Sequence, residues 1–165
     1  MEAIADAADV AKRTLYLHFP VKEAIVSAFW INNVRQKSDL LPMLLENFPN
    51  TRERLKAVFL DAAKGLVEEP ELARAHFSYQ FQQIGKDALP YLQNDFMQFL
   101  TAVIEQGQQD KELRSNAPAH EMAFQVMMNF TAVCLLRLSA PDSFELEERL
   151  ITTVDCFIDG AKQQS

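Results

Sequence analysis

The stretch VAKRTLYLHFPVKEA, residues 10–24, sets Lys12, Arg13, Thr14, Tyr16, His18 and Lys22 within eleven positions, with Leu15 and Phe19 threaded between them. These side chains share one chemistry. Ammonium and guanidinium groups pair with phosphates or fork onto base edges, hydroxyls and imidazole donate to phosphate oxygens, and Leu17 offers apolar contact to a thymine methyl. No comparable set exists for catalysis. His18, His76 and His120 stand far apart, and the chain has no His-Glu-x-x-His pair, Gly-x-Ser-x-Gly elbow, Walker-type loop or dinucleotide glycine fingerprint. The residues point to a non-enzymatic binding protein that needs no metal and no cofactor.

Charge is divided along the chain in a way that suits such a grip. The net charge is -7, yet residues 1–37 hold five Lys/Arg against four Asp/Glu, while the remaining 128 hold eleven against nineteen. Within residues 10–37 only Glu23 opposes the five cations. One face offered to a polyanion would produce this pattern, and so would an ordinary solvated basic face. Cys134 and Cys156 fall singly within helix-like patterns, as buried small hydrophobes do in a reducing compartment. The apolar runs, such as AVCLL, fall short of a membrane span and no leader pattern opens the chain, so a cytoplasmic protein without a membrane partner is expected.

The elements that must carry these side chains read as helix throughout. There are four Gly and no Asn-Gly or Asp-Gly hairpin signal, and prolines and capping residues divide 165 residues, 48% of them hydrophobic, into segments. Helices are predicted over about 2–8, 11–19 and 21–37. A mixed segment broken by Pro42 and Pro49 follows, then helices over 51–68 capped by Thr51, from Pro70 to about Ile84, and from Asp87 to about Gln108 with Pro90 in the first turn. Two closing helices, 119–138 and 143–162, come after a polar loop. On a wheel of about 100° per residue, Leu15 and Phe19 define a buried side, Arg13 and Leu17 lie about 160° away from Leu15, and Thr14 and Tyr16 flank them at about 100°. Outermost residues facing base edges and flanks facing phosphate walls describe a recognition helix. Ile4, Ala7, Ala8 and Val10 supply its apolar partner, and the spacing is that of a helix-turn-helix.

At this point the residues carry a family likeness. IADAADVAKRTLYLHFPVKEAIV, residues 4–26, closely resembles the DNA-binding signature of tetracycline-repressor-like (TetR family) transcription regulators. The resemblance implies that Thr14, Tyr16, His18 and Lys22 contact phosphates while Lys12, Arg13 and Leu17 read bases. It further implies an all-α chain, with a helix-turn-helix domain over 1–34 and a helical ligand-binding and dimerisation domain over 35–165. Three departures stand out. Asp9 replaces the family's turn glycine, Ala11 replaces the capping serine, and the family's first helix is missing before Met1. The side of Ile4, Leu15 and Phe19 that this helix would cover is therefore expected to be exposed, with residues 1–20 mobile and DNA binding weak until such a helix is restored.

The function expected is a ligand-responsive repressor. It would bind double-stranded operator DNA of inverted-repeat form as a homodimer, and a small lipophilic effector would release it. Phe59, Phe77, Phe81, Tyr91, Phe96, Phe99, Phe124 and Met127 are the candidate pocket walls, with His76, Gln80 and Arg74 as polar anchors, although aromatic and Met stripes at helical spacing serve a core more often than a pocket. Residues 119–138 are apolar on nearly every face. The last helix carries Leu146, Leu150, Val154, Phe157 and Ala161 on one stripe with Ile151 and Ile158 beside it, and the two helices suit either a two-fold four-helix bundle or an internal core. The alternative is a helical small-molecule-binding or dimerisation protein that has lost DNA binding through its short N-terminus.

Overall fold

The computed structural model describes the backbone of residues 1–38, 41–84 and 95–162, and the regular elements among them are helices. In order these are α1 (Glu2–Ala7), α2 (Lys12–His18), α3 (Lys22–Ser38), α4 (Leu41–Asn47), α5 (Thr51–Glu68), α6 (Pro70–Gln82), α7 (Asp95–Gln109), α8 (Ala119–Ser139) and α9 (Leu146–Ala161). An isolated antiparallel bridge joins Leu113 to Lys162, and Arg114 N–H donates to Ala161 O at 2.9 Å, tying the α7–α8 loop to the end of α9.

Several boundaries differ from the sequence reading, each for a local reason. Asn50, not Thr51, caps α5, because its side chain accepts from Glu53 N–H at 3.0 Å and leaves Thr51 as the first helical residue. The segment with Pro42 and Pro49 is largely helical, since Pro42 stands in the first turn of α4, where its missing N–H costs nothing. Ser143 does not open α9. Its hydroxyl donates to Ala140 O at 2.8 Å in a turn, and the helix begins three residues later. The expected helix start at Asp87 and Pro90 lies outside the described residues, as does Tyr91.

The core is shared by α5, α6, α7, α8 and α9, with Leu55, Phe59, Leu100, Ile104, Met122 and Leu150 almost fully buried. Each such side chain contributes about 1.5–3 kcal/mol. α8 is long and apolar enough to cross a membrane, which the short apolar runs did not suggest; 44% of its most apolar window is buried, and it packs against α5, α6, α7 and α9 as the central helix. Two clips join distant parts. Gly107 in α7 permits a close approach, because a Cβ there would run into Thr51 Oγ1 and lie 3.0 Å from Leu113 Cδ1. Buried Arg54 donates through Nε to Phe48 O (3.1 Å) and through a terminal nitrogen to Asp110 (3.3 Å), holding the α4–α5 turn to the end of α7.

Candidate nucleic-acid interface

α1 and α2 meet through a turn closed by backbone bonds. Ala8 N–H donates to Ile4 O (3.0 Å), Asp9 N–H to Asp6 O (3.3 Å) and Val10 N–H to Ala5 O (3.1 Å). Asp9 stands at φ 52°, the left-handed region that glycine occupies at less cost. Ala11 precedes α2 with extended ψ and no side-chain hydrogen bond, so the first amides of α2 lack a cap. Ala5, Leu15 and Ala24 are the buried residues of this module, while Ile4 and Phe19 are half-buried and Val21 and Phe29 are exposed. Leu15 is thus 8% exposed rather than open as expected, on a helix that packs against α1.

The opposite side of α2 is free. Lys12, Arg13, Thr14, Tyr16, Leu17 and His18 are all exposed, Leu17 at 79% and Tyr16 at 46%. A leucine left that open by its own chain is unusual on a solvated helix. Lys22 is exposed at the first position of α3, where free amides and the helix dipole add to its positive field. Lys12 Nζ lies 2.9 Å from Glu2 Oε1, an ion pair between exposed groups that contributes at most about 1 kcal/mol and yields readily to a phosphate.

α3 joins this module to the rest of the chain. Its Ser27, 3% exposed, receives a hydrogen bond from Gln80 Nε2 (2.9 Å) and lies 3.1 Å from His76 Nδ1. Trp30, one turn on, stacks on the His76 ring with centroids 5.6 Å apart, and it presses on Gly65 of α5, where a Cβ would come within 2.7 Å of the indole. Burial pushes the His76 imidazole down to about 4, so it is neutral at ordinary pH. Two candidate effector anchors, His76 and Gln80, therefore spend polar atoms on this joint. Ser27 and Trp30 were not singled out from the sequence, and the available signals were the chain's single tryptophan and a serine on the stripe of Ala24.

The other candidate pocket residues are placed variously. Phe59 and Phe96 both pack on Phe130, with centroids 4.6 and 6.3 Å apart, and Phe77 meets His76 edge-on at 5.2 Å. Phe99 and Met127 are buried and Phe124 half-buried against the same core, whereas Phe81 faces outward. Arg74 is half-buried beside Glu71, and its Nε has no hydrogen-bond partner. Among the described residues no group of His, Cys, Asp and Glu could hold a metal ion.

Comparison with known proteins places this arrangement. Residues 1–29 match the pattern of bacterial regulatory proteins, tetR family. No curated protein matches the chain in sequence. Among solved structures, Thermus thermophilus FadR, a TetR-family transcriptional repressor in complex with lauroyl-CoA, superposes with a TM-score of 0.76 at 18% identity, covering 98% of this chain and 84% of its own. A putative tetR-family transcription regulator from Shewanella sp. PV-4 gives 0.66 at 18% identity, with 98% and 86% covered. A TetR transcriptional regulator from Streptomyces coelicolor gives 0.54 at 24% identity, with 99% and 87% covered. Likeness at these identities establishes a common all-helical fold over nearly the whole chain, and residues 1–29 carry the pattern of the tetR family of bacterial regulatory proteins.

Proposed function

We propose that the chain is a ligand-responsive transcriptional regulator, a repressor that binds an inverted-repeat operator as a homodimer and lets go when a small lipophilic molecule binds. The observation that carries this reading is the outward face of α2. Arg13 and Leu17 would enter the major groove and read bases together with Lys12, while Thr14, Tyr16, His18 and Lys22 would hold the phosphate walls. Division of labour follows the same lines, with a DNA-reading module over residues 1–34 and an effector and dimerisation domain over 35–165. α3 runs unbroken through that boundary. A displacement of α6 by an effector would reach Lys22 through the Ser27–His76–Gln80 contact and the Trp30 stack, which is how binding in one domain would misplace α2 in the other.

A lipophilic effector accords with the lauroyl-CoA held by the Thermus relative and with the aromatic candidates Phe59, Phe77, Phe96, Phe99, Phe124 and Met127. The second reading, a binding or dimerisation protein without DNA recognition, draws on the exposed Val21 and Phe29 beside α1 and α2. Fluorescence anisotropy on inverted-repeat DNA selected from a random pool separates the two. Replacing Tyr16 or Lys22 should weaken binding to all sequences and lower the salt slope, whereas replacing Arg13 or Leu17 should change sequence preference by about 1–3 kcal/mol per lost contact. If no sequence is enriched, or if these four substitutions leave binding unchanged, the DNA reading fails.

A further inference from the structure

A groove of about 580 Å³ runs between α7 and the first turns of α8. That is the size of a small-molecule site. Met97 and the half-buried Phe124 ring give it apolar walls, and Thr101, Glu105, His120 and Glu121 stand around them. Among the described residues, no lysine or arginine lines it. The Thr101 hydroxyl already donates to Met97 O at 2.7 Å, which leaves its oxygen free only to accept. Among the described residues, Glu105 forms no ion pair and Glu121 has only the exposed His120 imidazole, 3.6 Å away, beside it.

Opposing contributions to the local field can be weighed. The N-terminus of α8 lies at the groove with Pro118 as an uncapping residue, and a helix end is worth about half a positive charge. Two full carboxylate charges outweigh it, and the chain beyond residue 37 adds an excess of acidic groups. An anionic ligand here would leave two carboxylates facing its charge. A cation with apolar bulk would instead meet the carboxylates at the rim, the face of Phe124 by cation–π attraction, and the polarisable sulfur of Met97.

We propose that this groove binds a lipophilic organic cation. The site shares Phe124 with the aromatic effector candidates and opens beside their buried members, and it stands independently of the DNA reading because occupancy is measured directly. Tetraphenylphosphonium and tetraphenylborate are suitable probes, being nearly equal in shape and opposite in charge. Titration calorimetry on the full 165-residue chain should show tetraphenylphosphonium binding at least tenfold more tightly. Replacing Glu105→Gln together with Glu121→Gln should remove most of that preference while leaving the thermal midpoint in place, since both residues are exposed. Ala102→Phe, which fills the groove, should abolish binding of either ion. Glu147→Gln with Glu148→Gln, the same change in net charge made on α9, should leave the preference intact. Equal affinity for the two ions, preference for the borate, or an equal loss of preference in the α9 pair would overturn the proposal.

Discussion

His76 is 7% exposed, wedged between Trp30 and Ser27, and among the described residues no carboxylate is a hydrogen-bond or ring partner. Burial lowers its pKa from the ordinary 6.5 to about 4, so the folded protein holds the imidazole neutral where the unfolded chain would protonate it. The sign follows directly. Above about pH 6.5 both states are neutral and nothing is lost; between there and about pH 4 the unfolded state binds the extra proton, and stability falls by roughly 3 kcal/mol in all. Urea unfolding at pH 7, 6, 5 and 4 for the wild type and His76→Gln should give curves that diverge by this amount on acidification. Parallel curves would mean that the ring is solvated. Because His76 braces α3, the same acidification should loosen the joint before it melts the core.

α2 is a short helix held by few contacts. Leu15 is its one buried side chain, its start is uncapped at Ala11, and the preceding turn keeps Asp9 at positive φ. Seven residues cannot sustain a helix in isolation, so α2 depends on its packing against α1 and on the burial of Leu15, and it should open locally well before α5 or α8. Ala11→Ser would supply an oxygen for the amide three residues on, worth about 1 kcal/mol. Amide exchange over residues 12–18 should then slow about fivefold, with exchange in α5 unchanged. An unaltered rate in α2 would show that capping does not limit its opening. The same substitution should leave sequence preference alone, since position 11 precedes the exposed face.

Assembly belongs to the whole molecule. The apolar residues of α8 and α9 mostly serve their own protomer: of the stripe on α9, Leu146, Leu150, Val154 and Ala161 are buried in the core, as is Ile158 beside it, while Phe157 is half-buried. What remains outward is narrower. On α8 Ala132 and Leu136 are exposed, with Met128 and Leu135 half-buried beside them, and on α9 Cys156 and Gly160 are exposed, with Thr153 and Phe157 half-buried; an added Cβ at Gly160 meets open space. Small residues with a few large ones suit close helix pairing about a two-fold axis, and we expect the homodimer to form there. Sedimentation at micromolar concentration should give twice the 18.8 kDa of one chain, and Ala132→Arg should return it to one. A wild type that sediments as one chain would remove the bundle from the proposal and with it the reason for a symmetric operator.

Much was legible in residue order because it depends on local periodicity. The all-helical organisation, the helix-turn-helix and the outward set Arg13, Leu17, Thr14 and Tyr16 follow from a 3.6-residue repeat and a handful of turn residues, and no distant contact is needed to place them. The left-handed turn at Asp9 and the missing cap at Ala11 were equally visible, being properties of single positions. Tertiary packing decided the rest. Whether an aromatic stripe becomes core or pocket, which flank of α9 stays outside, and that His76 and Gln80 turn toward Ser27 depend on which helices meet, and similar apolar stripes on α5, α7, α8 and α9 allow several pairings. The groove of Glu105 and Glu121 is the clearest case, for the two carboxylates stand sixteen positions apart and share a site only because α7 and α8 lie side by side.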